Sequence, residues 1–118
     1  IEVVMGETDT AYCLSHIEED RVIIVDAAIS GRQEGQVWKM PIEQAIKDCG
    51  RAEHQHGASL LAELSRYRPW VNGLLICIEI RAVDFRWGLS RTMEEGLPWI
   101  CRTLVEMINE FRGDTDYA

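Results

Sequence analysis

A chain of 118 residues, 47% of them hydrophobic and with a formal net charge of −8, suits one domain with an ordinary core and is too apolar for a disordered segment. The acid surplus argues against a nucleic acid or an anionic membrane surface as partner, because both need a basic footprint. No run is apolar enough to insert into a membrane, and four scattered cysteines without a C-x-x-C pair point to a reducing, cytoplasmic setting rather than to a disulfide framework or a zinc knuckle.

The first residues, "IEVV" (Ile1 to Val4), read as a short strand. Ala11, Leu14 and Ile17 then give Thr8 to Glu19 one apolar helical face, with Thr8 or Asp9 as cap. Arg21 to Ala28, "RVIIVDAA", is apolar but for Arg21 and Asp26, as expected of a strand covered on both faces in a parallel sheet. A polar loop with two glycines, Gly31 and Gly35, follows. "QVWKM" predicts a strand stopped by Pro41, which suits the start of a helix with Ile42, Ala45 and Ile46 on its inner side, ended at Gly50.

After the polar connection "RAEHQHG", Ser59 to Tyr67 predicts a helix with Leu60, Leu61 and Leu64 facing inward. "RPWVNG" is a turn, and Gly73 to Ile80, "GLLICIEI", is a second apolar strand interrupted by Glu79. Ser90 is placed to cap a helix with Glu94 and Glu95 near its positive end. Leu97, Ile100, Leu104, Val105, Ile108 and Phe111 mark one face of a long helix, and "GDTDYA" reads as a frayed tail. Cys77 and Cys101 read as small buried hydrophobes, and the four tryptophans as core or boundary residues. The alternation of strands and helices predicts a single α/β domain over 1–118, in three layers, with a mostly parallel sheet flanked by helices on both faces.

In such sheets ligands gather at the carboxyl ends of the strands, which makes Asp26 a candidate site residue. Its alternative role is to bond backbone amides in the loop that follows. His56, just before an apolar helix, is a second candidate; its alternatives are a helix cap or a surface residue. A carboxylate and an imidazole together suit nickel or zinc, although two ligands are too few for tight binding. Glu7, Asp9 and Glu79 are further acids without an evident partner. No P-loop, G-x-G-x-x-G or G-x-S-x-G pattern occurs, and no cysteine has an evident electropositive neighbourhood. "VIIVDA" also looks like a phosphoacceptor strand, but Lys39 and Lys47, the only lysines, are badly placed for that chemistry.

Taken in order, these segments resemble the hydrogenase maturation endopeptidases. "IEVVMGETDTAYCLSHI" is similar to the family's V-E-x-x-x-G-G-T strand and helix, with Glu7 in place of the second glycine. "DRVIIVDAAISGRQEGQVW" resembles its strand ending in Asp and the following P-G-T loop, where Gly35 fits and Glu34 and Gln36 depart. "HGASLLAEL" resembles its histidine-led helix, and "GLLICIEIRAVDFRWGLS" its penultimate strand and G-L-S sequence at Gly88, Leu89 and Ser90.

The resemblance implies a twisted sheet between helices. It also implies removal of a C-terminal peptide from the nickel-loaded precursor of a [NiFe] hydrogenase large subunit. Asp26 and His56 would belong to the metal site, with nickel supplied by the precursor and zinc or cadmium-like ions able to take its place. No catalytic residue is assigned. The alternative is a binding module that grips the precursor without cleaving it. The family's first strand and its G-x-G-N loop, which carries an acidic ligand, have no counterpart, so the sequence is expected to be N-terminally incomplete, with the third ligand still to be found.

Overall fold

The computed structural model describes residues 3–6, 9–18, 21–48, 57–81 and 88–116, excepting the side chains of 57–59 and 114–116. In chain order the elements are α1 (Thr10–Ser15), β1 (Arg21–Ala28), β2 (Val37–Pro41), α2 (Ile42–Lys47), α3 (Gly57–Tyr67), β3 (Asn72–Glu79) and α4 (Arg91–Asp116). The strands form one sheet in the order β1-β3-β2. β1 runs parallel to β3, from Arg21 opposite Asn72 to Ala28 opposite Glu79. β2 runs antiparallel to β3, from Val37 opposite Ile78 to Pro41 opposite Leu74. One pair of each kind means that the described strands do not form the mostly parallel sheet expected. The eight-residue connection between β1 and β2 holds no helix, and β2 enters the sheet reversed.

Side chains alternate across the sheet, so each face collects its own core. On one face Ile24, Ala28, Trp38, Leu75 and Cys77 pack against Ile42 and Ala45 of α2 and Leu61 and Leu64 of α3. On the other, Val37, Leu74 and Ile76 pack against Met93 and Ile100 of α4, with Leu104, Met107, Ile108 and Phe111 beside them. The molecule is thus a mixed α/β fold with helices against both sheet faces. β3 is central, and Leu75, Ile76 and Cys77 are almost completely buried.

Several helix boundaries follow from capping. Asp9 caps α1 by accepting from Tyr12 N–H at 2.9 Å. Pro41 is the last residue of β2 and also the N-cap of α2, extended at φ −60°, ψ 145°. Ser90 Oγ accepts from Met93 N–H at 3.2 Å at the start of α4. α4 then continues without a break through Pro98 to Asp116, so residues 113–116 are helical rather than frayed.

Other expectations need correction. Of the strand expected over Ile1 to Val4, Ile1 and Glu2 lie outside the described residues, and Val3 and Val4 form no strand, with Val3 79% exposed. A strand exists only by pairing, and the described residues offer this segment no neighbour. β1 is an edge strand among the described residues and its Val25 is 46% exposed, so it is not covered on both faces. Trp38 is buried, but Trp70 and Trp99 are exposed, as is Cys101. Leu97 and Val105 sit on the exposed flank of α4. Trp87, Cys49 and Gly50 lie outside the described residues.

Candidate functional site

The parallel pairing brings the carboxyl ends of β1 and β3 to one edge of the sheet, and the reversed β2 contributes its first residues there. Asp26, Cys77 and Trp38 lie opposite one another and share a face; Ala28 and Glu79 form the next row outward. Asp26 Oδ1 accepts from Ala27 N–H at 2.9 Å. Oδ2 is buried and has no hydrogen-bond partner among the described residues. A buried carboxylate oxygen without a donor costs desolvation free energy of about 1–3 kcal/mol or more. The sequence left open a role for Asp26 in bonding amides of the loop that follows; Oδ1 bonds instead the next residue of β1 itself, and Oδ2 has no partner among the described residues.

Cys77 occupies the adjacent position on β3 and is fully buried. Burial first, then the charges of Asp26 and Glu79, push its thiol up to about 12 against the opposing pull of Arg32. The thiol is therefore neutral near pH 7 and no candidate nucleophile.

Glu79, which the sequence left without a partner, organises the loop after β1. It is 1% exposed. Its Oε2 accepts from Ser30 N–H at 2.6 Å and Gly31 N–H at 3.1 Å. Its Oε1 accepts from the Ser30 hydroxyl at 2.6 Å and the Trp38 indole N–H at 3.3 Å. Burial alone would raise its pKa, but the bonds from Ser30, Trp38 and Gly31 outweigh that and hold the carboxyl below its ordinary value. The signal in the sequence was the alternation of β3: Glu79 shares its face with Cys77 and Leu75, so it had to be buried.

The loop is tied elsewhere too. Gly35 N–H donates to Glu79 O, and Glu79 N–H to Gln36 O, both at 2.8 Å. Gly35 takes φ +87°, a left-handed conformation that favours glycine. The Arg32 guanidinium lies 3.7 Å above the Trp38 ring and donates to Ser30 Oγ. Glu34 accepts from the Ser90 hydroxyl and pairs with Arg81 at 3.8 Å. The loop after Asp26 and the G-L-S sequence before α4, distant in the chain, are thereby joined. Between them a groove of about 400 Å³ opens, lined in part by Ile29, Arg32, Glu34, Ile80, Arg81 and Thr92.

His56 and His54 lie outside the described residues, as does Glu7. Asp9 is committed to capping α1. Among the described residues no three His, Cys, Asp or Glu side chains come together in a way that could hold a metal, so Asp26 stands there as a single donor. No helix among them is long and apolar enough to cross a membrane.

A mixed α/β fold with a carboxylate and a tied glycine loop at the strand ends is the class of architecture these features define. No family model matches the chain, and no curated protein matches it. Among solved structures it is similar to the [NiFe] hydrogenase maturation protease HybD from Thermococcus kodakarensis. The TM-score is 0.63 and the sequence identity 23%, over 90% of this chain and 78% of that one. The two proteins share a fold.

Proposed function

We propose that this chain is a hydrogenase maturation endopeptidase that removes a C-terminal peptide from the nickel-loaded precursor of a [NiFe] hydrogenase large subunit. The observation that carries the reading is the unsatisfied Oδ2 of Asp26, at the carboxyl end of β1, in a fold shared with such a protease. An anionic oxygen enclosed without a donor is suited to a cation. Nickel is here the cargo of the precursor. The Asp26 carboxylate and the His56 imidazole supply the oxygen and nitrogen donors that such an ion accepts, and zinc or cadmium-like ions would be taken by the same donors. The remaining donors come from the precursor that carries the metal or from other parts of the chain. Recognition of a filled metal site next to the scissile bond couples cleavage to completed insertion.

The test is processing of a nickel-loaded precursor by Asp26→Asn and His56→Ala. Both are expected to lose cleavage. Asp26→Asn keeps the oxygen that accepts from Ala27 N–H and removes the charge whose other oxygen has no donor among the described residues, so its thermal stability should stay level or rise by up to about 1 kcal/mol. Full cleavage by either variant refutes the assignment. Tight binding of the precursor by the unaltered chain without cleavage would favour the binding module instead.

A further inference from the structure

The groove at the sheet edge is built by the loop that continues β1 past Asp26, by the residues after β3 and by the first turn of α4. We propose that it seats an extended segment of the substrate polypeptide, with Glu79 as the positioning residue that sets its wall. The inference rests on the reading that the substrate is a protein precursor.

Three observations lead there. The first is the lining. Ile29 and Ile80 offer apolar surface, Thr92 a hydroxyl, and Arg32, Arg81, Glu34 and Glu79 charge, with Arg32 stacked on Trp38 and Arg81 paired with Glu34. That alternation matches a peptide main chain with its side chains better than a compact apolar ligand. A volume of about 400 Å³ also falls within the range of ligand clefts.

The second is location. Ile29 lies three residues past Asp26 in the chain, so the groove opens at the same carboxyl-end edge of the sheet as that carboxylate, which does not itself line it. The third is how the wall is held. Two backbone amides, one hydroxyl and one indole all converge on the Glu79 carboxylate. Glu34, at the other end of the loop, is held by Ser90 and Arg81. A wall fixed before binding spares the ordering cost that a loose loop would add to association.

The experiment compares the unaltered chain with Glu79→Gln and Glu79→Ala on the nickel-loaded precursor, with amide hydrogen exchange on the same samples. Glu79→Ala removes every acceptor, so the amides of Ser30 and Gly31 should exchange at least about tenfold faster while those of β1 and β3 hold. KM should rise about tenfold with kcat within about threefold, the pattern of lost binding rather than lost chemistry. Glu79→Gln keeps one oxygen for the two amides and should restore most of both.

Unchanged KM and unchanged exchange in Glu79→Ala overturn the proposal. So does a fall in kcat alone, which a merely structural role would give. If Glu79→Ala does not fold, Arg81→Glu at the exposed rim carries the test: KM should rise, and an unchanged KM overturns the groove. Should the unaltered chain bind the precursor without cleaving it, only the protease reading fails. The comparison then runs on precursor affinity, expected to weaken about tenfold in Glu79→Ala. A chain that neither cleaves nor binds the precursor overturns both.

Discussion

Two carboxylates on one sheet face, two positions apart in the register, meet opposite fates. Glu79 is saturated with donors, and Asp26 keeps one oxygen without any among the described residues. The saturation has a pH signature. Glu79 is held below its ordinary 4.5 in the folded chain. The unfolded state therefore takes up its proton first as pH falls. The stabilisation is fully present above about pH 4.5 and is lost as pH falls through the lower folded value. Glu79→Gln mimics the protonated state and loses the charge-assisted bonds, about 2 kcal/mol. Chemical denaturation should show that gap as constant from pH 7 to pH 5 and narrowing below; a gap that widens in acid would contradict the assignment. Asp26 stands out in the sequence as the one acid in an apolar strand, and the structure places it two residues before the end of β1. Glu79 was visible only as an acid in the wrong place, since its four donors come from residues 41 to 49 positions away and no local pattern announces them.

At the scale of elements, the tightest contact lies between β1 and β3. A Cβ on Gly73 would stand 1.8 Å from the carbonyl oxygen of Val22, its register partner, and Gly73 takes φ +153°. Backbone cannot yield there without parting the strands. Gly73→Ala should therefore cost more than about 3 kcal/mol. A drop in the thermal midpoint of several degrees would report it, and an unchanged midpoint would mean the pairing is looser than described. All three strands were legible from local composition, and β1 to the residue, because burial on the core faces demands apolar, β-branched side chains. α3 and α4 were legible from spacing. Val3 and Val4 were misread because a β-branched run is a strand only if something pairs with it, which no local sequence states. The direction of β2 was equally hidden: apolar alternation is the same read forwards or backwards.

At the scale of the whole molecule, β3 is the element whose release requires both cores to part, since α2 and α3 cover one face and α4 the other. Cys77 sits at its middle with no exposed surface, and its thiol is pushed up to about 12 chiefly by burial. Cys101, on the outer side of α4, is exposed. A thiol reagent acts on the thiolate, and only where it can reach it. Cys101 should be alkylated directly at pH 8, while Cys77 should react only from molecules that have opened the sheet. Labelling of Cys77, followed by peptide mass analysis, should then accelerate with denaturant in step with global unfolding, while labelling of Cys101 should not. The same raised thiol sets an alkaline limit. The folded chain holds the Cys77 proton above pH 9, where the unfolded chain releases it. Stability is thus undiminished below pH 9 and declines as pH rises from there towards about 12. Replacing the thiol by the similarly sized hydroxyl in Cys77→Ser should remove that alkaline decline and place a hydroxyl in the core, at a cost of about 1–3 kcal/mol at pH 7. Rapid native labelling of Cys77 with no response to denaturant would show that β3 opens without the rest of the fold, and the central strand would then not be its most protected element.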